Sequence, residues 1–447
     1  MPIYLIGQCF LTGADLSYTN EILNEGGIYY NENGVEVDPF EYFADQGTKI
    51  VRLRLWHTPT NNIDFCGNPI DASSLEDVLN AATKVKLNGM QLKLSIHYSD
   101  YFVDPGKQKM PLAWEGLSHS VLLDSITNYT HYVLEKLHAQ NTLPEIVSVG
   151  NETTWGFIDA TTTTDGFNWS QDADKYNVAL SAIDSFNQTH NSNIKKAIHL
   201  TESTALWATN LFMENGVENF DIIGISYYPN FSPAVSLSQV GEIINELYTD
   251  YGKEVMVFET GFAWSNNFAD NYNNFIGNNG TTLAYPKTPQ GQKDFLIDLA
   301  ETILQNNGTG LIYWEPSWIT SNLCDKWGQG SSYENVAMFD TENNQPLVSF
   351  DFFEFCEASS STEIQSFPNI EIYPSPLFSE ELKIQNAPNN STWKLFDLSG
   401  KMILNGVFKN NTPINTINLS TYSKGVYFLS IHLESSEARM VKKLIIL

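Results

Sequence analysis

The sequence predicts an α/β protein, a (β/α)8 TIM barrel, followed by a small all-β sandwich. Three observations carry that prediction. Short apolar runs alternate with amphipathic segments over the first three-quarters of the chain. Two of those runs close on a glutamate, Glu152 and Glu259. Beyond residue 366 the hydrophobic period falls to two. The boundaries read as a barrel over 1–357, a linker over 358–366 and a sandwich over 367–447.

The eight barrel strands are expected at Phe10–Asp15, Ile50–Trp56, Leu92–His97, Ile146–Asn151, Ala197–Leu200, Ile222–Tyr227, Val255–Glu259 and Leu311–Trp314. Ser74–Asn88 reads as a helix opened by a Ser/Asp/Glu start signal and closed by Gly89, and Leu122–Gln140 as another. The longest loop runs from Trp264 to about Pro289 and is rich in Asn, Gly and Thr; loops of that length are usually functional. Ala358-Ser359-Ser360-Ser361-Thr362 is a small polar linker. Period-two segments such as Ile370–Tyr373, Trp393–Phe396 and Val426–Ile431 follow, parted by turn signals at Ser399-Gly400 and Lys424-Gly425.

Composition narrows the function. With 42% hydrophobic residues the chain builds a full core, and 24 Lys plus Arg against 52 Asp plus Glu give a net charge of −28. That balance argues against nucleic acid or an anionic membrane as partner. It suits neutral ligands, and 13% aromatic residues suit a sugar binder, although for any one ring a core role is the better bet. No apolar run approaches the roughly 20 residues of a membrane span. Met1–Gly7 is not a complete signal peptide, and if the chain is exported a truncated or misassigned start is expected. The four cysteines allow three pairings; Cys324 with Cys356 is preferred, and free buried thiols are the competing reading.

A carboxylate closing an apolar strand is costly unless it is used. In a parallel barrel the C-terminal strand ends share one face, where catalytic residues gather. Two carboxylates there, about 5–5.5 Å apart, are what retaining glycosidic cleavage needs. Glu152 is therefore assigned as acid/base and Glu259 as nucleophile, with the Asn151 amide on the sugar 2-hydroxyl. Alternation puts Arg52 and Arg54 on the inner face of their strand, against Leu53 and Leu55 outside. Arg54, nearer the open end, is expected to hold Glu259, and Arg52 to be structural. The strand ends bearing His97, Asp100, His199, Tyr227 and Tyr228 converge on the same mouth, with Trp56, Trp114 and Trp314 as aromatic walls. Each of these alone is more often a satisfied core residue.

Six segments in order resemble glycoside hydrolase family 53, the endo-β-1,4-galactanases: Gly13–Ser17, Val51–Trp56, His97–Asp100 with Asp104–Gln108, Val149–Glu152, Ile225–Pro229 and Tyr313–Pro316. The resemblance covers roughly residues 10–350. It implies retaining endo-hydrolysis of β-1,4-galactan in type I arabinogalactan and pectin, with Glu152 and Glu259 at the acid/base and nucleophile positions. The chain departs from the pattern at Ser95, where the family has Asp, which leaves the partner of the inward arginines open, and at Thr153, where the family often has Ile. The resemblance also implies a calcium ion held by Asp270, Tyr272, Asn274, Ser331 and Glu334, with Tyr replacing His and Glu replacing Asp; a plain polar loop is the competing reading. The chemistry itself requires no cofactor. The C-terminal unit resembles a type IX secretion sorting domain, through Tyr373–Pro376, Leu395–Lys401, Leu419–Tyr427 and Lys442–Leu444. That implies export to the medium or cell surface through the type IX machinery; a carbohydrate-binding module is the rival reading. A monomer acting on a polysaccharide is expected. Alternatives are a sibling hydrolase of mannan or cellulose, and a non-catalytic glycan-binding protein.

Overall fold

The computed structural model describes residues 10–161, 166, 168–277, 285–355, 371–373, 381–387, 391–397, 401–408, 412, 414–432 and 439–446. The start at 1–7, Cys9, Cys356, the linker 358–366 and the tail segments Pro374–Pro376 and Leu398–Gly400 lie outside them. Eight parallel strands form a closed barrel: β1 Leu11–Asp15, β2 Ile50–Leu55, β3 Gln91–Ile96, β4 Ile146–Val149, β5 Lys195–Thr201, β6 Ile222–Ser226, β7 Glu254–Glu259 and β8 Gly308–Tyr313. Each pairs with its neighbours in sequence, and β1 closes on β8 through Leu11↔Gly310 to Ala14↔Tyr313. His97, Asn151, Tyr227 and Trp314, expected as strand ends, sit just beyond the strands on the rim.

Helices at Leu75–Leu87, His119–Ala139, Trp169–His190, Ala205–Glu214, Leu237–Tyr251 and Pro289–Gln305 follow β2 to β7 in turn. Their starts are written locally. Ser74 accepts from the Asp77 amide, Ser236 and Gln239 form a reciprocal capping box, and Thr288 caps a helix whose first residue is Pro289. Between β8 and Phe355 the one helical element among the described residues is a 3-10 segment, Val348–Glu354.

The barrel interior is layered. Leu11, Ile50, Ile146, Ala197, Ile222, Met256, Phe258 and Ile312 form an apolar plug. Gly224 makes room for it, since a Cβ there would lie 1.9 Å from the Phe258 ring. Polar side chains replace the plug toward the C-terminal end: Arg52, Arg54, Lys93, Ser95, Ser148 and His199 are all buried. A closed apolar base under a polar upper layer places the chemistry at one end.

Cys66 is bonded to Cys324, which corrects the expected Cys324–Cys356 pair. Cys66 lies in the loop after β2 and Cys324 in the loop after β8, so both are on the rim. The chain before Cys356 has returned to the opposite end, where Phe355 packs edge-on against Phe10 and the Phe353 carbonyl accepts from Thr12.

The chain divides into a unit over Phe10–Cys356 and one that takes in Glu357–Leu447. The second contains a three-stranded sheet (Glu371–Tyr373, Glu381–Gln385, Ile414–Asn418) and a four-stranded one (Met402–Val407, Thr392–Asp397, Gly425–His432, Arg439–Ile446), all antiparallel. Leu382, Ile384, Leu395, Leu429, Ile431 and Leu444 make their common core. Trp393, the aromatic a carbohydrate-binding module would display, instead packs on that core and over Gly406.

Candidate active site

Glu152 reaches the rim through a forced turn. After β4, Gly150 takes φ +81, and a Cβ there would meet Thr153 at 2.5 Å. Glu152 itself sits at φ +46, an unfavourable conformation for a residue with a side chain, and such strain concentrates at functional sites. Glu259 needs no such device, because it is the last residue of β7. Both line one cavity of about 720 Å³ on the C-terminal face.

Their surroundings differ. Glu259 takes the Arg52 guanidinium on Oε1 at 2.7 Å and the Tyr228 hydroxyl on Oε2 at 2.9 Å. Burial, then the Glu259 charge, push the Tyr228 phenol well above its ordinary value, so it remains a donor. Glu152 forms no ion pair among the described residues, and the Arg52 charge is only a minor influence on it. Burial, then the Glu259 charge, push its carboxyl up to about 8, opposed by the Ser226 hydroxyl. At neutral pH one carboxyl is thus a protonated acid facing a carboxylate, the division of labour two glycosidase carboxyls require.

The arginines exchange the roles expected of them. Arg52 serves Glu259, while Arg54 pairs with Glu315 at 2.6 Å and lies over the Tyr18 and Phe102 rings at 4.7 and 4.9 Å. The anion the sequence left open is Asp15, at the end of β1: it contacts Arg52 directly and Arg54 at 3.5 Å. Burial alone would raise Asp15; Arg52 and Arg54 outweigh it and hold the carboxyl below its usual range. Ser95, in place of an aspartate, accepts from Arg52 Nε at 3.2 Å and from Lys93 Nζ at 2.6 Å. Lys93 also lies 4.0 Å over the Phe258 ring, and burial, then Arg52, push its amine well below its ordinary value.

Asn151 is held from three sides. Its Oδ1 accepts from Arg52 at 2.7 Å and from His199 Nδ1 at 3.0 Å, and its Nδ2 donates to the Val103 carbonyl at 2.9 Å. One amide hydrogen remains for a sugar hydroxyl. His199 is neutral, since burial pushes it well below its ordinary value; Nδ1 carries the proton, and Nε2 takes the Ser226 hydroxyl at 2.9 Å. His97 accepts from Trp56 at 3.3 Å on Nδ1, leaving Nε2–H buried in the cavity wall with no partner among the described residues. Burial and Arg52 keep this ring neutral too.

Of the expected substrate contacts, Asn151, Arg54, His97, Tyr228 and Trp314 line the cavity; Asp100, His199, Tyr227, Trp56 and Trp114 stand behind it. Asp100 organises loops by accepting from Thr58 N, Asn61 and Leu112 N at 3.0, 2.8 and 3.0 Å. Tyr227 donates to the Val235 carbonyl. Trp56 packs on Tyr101 and Phe102, and Trp114 on His57 and Tyr129. The reading missed Arg52, Asp15, Ser226, and Glu202 and Trp327 in the wall. It also missed Trp155 and Trp207, 44% and 45% exposed with ring centroids 4.9 Å apart. Three of these carried a signal: Asp15 by closing an apolar strand, Arg52 by alternation with Arg54, and Trp155 by standing three residues after Glu152.

The expected calcium set gathers in part. The Thr320 hydroxyl contacts both Asp270, at 3.1 Å, and Glu334. Burial, then the Asp270 charge, raise Glu334. Asn274 Oδ1 is buried without a partner among the described residues. Tyr272 turns its hydroxyl to Asp325 at 2.8 Å, and the Ser331 hydroxyl is spent on the Trp318 carbonyl at 2.7 Å. Asp270 and Glu334, brought together through Thr320, are oxygen donors of the kind a hard cation takes.

The model of glycosyl hydrolase family 53 matches residues 11–353, and that of a secretion system C-terminal sorting domain matches 371–447. An arabinogalactan endo-β-1,4-galactanase of Cellvibrio japonicus is 37% identical over 350 residues, covering 77% of this chain and 90% of its own. An endo-β-1,4-galactanase of Bacillus subtilis is 30% identical over 386 residues, covering 78% and 86%. The Ignisphaera aggregans GH53 catalytic domain superposes with a TM-score of 0.70 at 32% identity, over 79% of this chain and 98% of that one.

Proposed function

The chain belongs to glycosyl hydrolase family 53 and is an endo-β-1,4-galactanase, and we propose that it cuts type I arabinogalactan and pectic galactan by a retaining mechanism. Glu259 attacks the anomeric carbon as Glu152 gives its proton to the leaving glycosidic oxygen, and a galactosyl ester forms. Arg52 and Tyr228 aim the attacking carboxylate. Ester formation removes the Glu259 charge, the second cause of the high Glu152 value. Glu152 therefore becomes the stronger acid once its proton is gone, and as a carboxylate it takes a proton from the water that attacks the same carbon and releases Glu259. Asn151 and His97 Nε2–H supply donors to sugar hydroxyls.

The observation that carries this reading is one cavity holding a protonated glutamate beside a glutamate gripped by arginine. The test is product analysis on galactan, mannan, xylan and cellulose, with the anomeric form of the first product followed by NMR. Galactan should be cut to β-configured oligosaccharides. Cleavage of another glycan would move the substrate, and an α-configured first product would make the mechanism inverting. Glu259→Gln should lose turnover by orders of magnitude and still bind galactan.

Because Glu152 must reach the leaving oxygen, the leaving sugars lie on its side of the cleft. There Thr154 and Thr204 bond at 3.2 Å, and Trp155 stands three residues after Glu152 and Trp207 four after Ser203 of the wall. We assign the pair to the leaving end of the chain as a stacking surface. The Asp270–Asn274–Glu334 set is assigned to a structural Ca²⁺ that ties the loops after β7 and β8 and takes no part in bond cleavage. The sorting-domain match supports export through the type IX system to the medium or cell surface.

A further inference from the structure

We propose a second metal site, for Zn²⁺ or a similar borderline transition ion, held by Glu135, His138 and His190. The three lie on two neighbouring helices that the catalytic reading does not use. Glu135 and His138 are three residues apart on His119–Ala139, so they share a face, and His190 is the last residue of Trp169–His190. One donor atom from each falls within 4.8 Å of the others. The imidazoles are tilted 51° to one another with centroids 4.3 Å apart, and His190 Nε2 stands 2.7 Å from Glu135 Oε1.

Three features favour a cation over a fortuitous surface cluster. The donor set, two imidazoles and one carboxylate, is that of many three-ligand zinc sites, which keep a fourth position for water. Both histidines stand in the last turn of their helices, where unpaired carbonyls favour positive charge. Phe186, fully buried, lies under both rings at 6.0 and 4.4 Å, so the site is dry beneath and open above. The Glu135–His190 contact already brings two of the donors together, and a bound metal takes an imidazole nitrogen lone pair and a carboxylate oxygen in place of that contact. Ca²⁺ and Mg²⁺ do not suit imidazole.

These helices end ahead of β4 and β5, so the site sits at the barrel end opposite Glu152, and its effect is on stability. Zinc clamps the final turns of two helices and favours the folded chain by mass action. The test uses the full chain, stripped of metal and then given about 100 µM ZnCl2, CaCl2 or MgCl2, with thermal unfolding and calorimetric titration as readouts. Zinc should raise the midpoint by about 4 °C and bind at one site, for a Kd near 1 µM. His138→Ala and His190→Ala should each lose most of that gain, measured against their own metal-free midpoints. Glu135→Gln should weaken zinc binding about tenfold. A calcium-induced rise should be equal in parent and histidine variants. Absence of any zinc response in the parent, or a full response in both histidine variants, overturns the site.

Discussion

Replacing Glu152 by Gln should make the protein more stable in alkali, and by an amount the site allows one to work out. The carboxyl is raised from 4.5 to about 8. Unfolded, it loses its proton near 4.5; folded, it keeps it until about 8. Between those values the folded chain binds one proton more, so stability falls as pH rises through that window and stays low above it. The interval is about 3.5 units, which at 1.36 kcal/mol per unit is roughly 5 kcal/mol; opening of the side chain to the cleft reduces this to roughly 2–5 kcal/mol. Glutamine cannot titrate and escapes the loss. A barrel of this length unfolds with an entropy of about 0.7 kcal/mol/K, so the variant's advantage in midpoint should grow by about 3–7 °C between about pH 4.5 and about pH 9. Thermal unfolding of both proteins across that range measures the growth, and all other titrating groups cancel in the difference. The alkaline limb of kcat/KM in the parent should fall near pH 8. A variant-minus-parent gap that does not change with pH means Glu152 titrates as an ordinary glutamate, and its role as proton donor is then lost.

Trp155→Ala combined with Trp207→Ala should raise KM for polymeric galactan about tenfold with a smaller change in kcat, the loss expected of two sugar-stacking faces; equal loss in both parameters would place the pair in the chemistry instead. Chelation of a calcium-loaded preparation should lower the unfolding midpoint by several degrees, and Asn274→Ala should respond less; a parent indifferent to chelator removes the calcium assignment. Cleavage within Ala358–Thr362 should leave the barrel fully active, and an activity loss would tie the tail to the site. Lys93→Met should cost less than about 1.5 kcal/mol in denaturant unfolding, as for a neutral amine of similar shape, whereas about 4 kcal/mol would mean a buried charge lost from its partners.

The barrel was legible because its signal is repetitive: short apolar runs recur with amphipathic segments between them, and several of the helices carry their own cap, as Ser74, Ser236 and Thr288 show. Glu152 and Glu259 were legible for the same reason, since a carboxylate closing such a run stands out. What did not show was pairing across the barrel. Arg52 and Arg54 are equivalent by alternation, and only the three-dimensional position of Asp15, Glu259 and Glu315 decides which takes which. Cysteine pairing failed likewise, because which end of the barrel a residue occupies is a property of the whole chain path. Trp56, Trp114, Asp100 and Tyr227 were drawn toward the mouth by their chain positions, yet each spends its polar or aromatic surface on a neighbour behind the wall.

Ser95 and Lys93 show how one departure from a pattern can be read once the partners are known. An aspartate at 95 would stand where Arg52 Nε now donates to a hydroxyl, and it would compete with Glu259 for that guanidinium. With serine there, Arg52 keeps two anions, Asp15 and Glu259, and Arg54 keeps Glu315. A charged lysine two residues earlier would upset that balance toward the positive. Its burial over Phe258 and its closeness to Arg52 act against the proton, and a neutral amine donating to Ser95 leaves the arginines committed. The inner layer therefore preserves the one pairing the reaction depends on, Arg52 with the attacking carboxylate, while changing the residues around it.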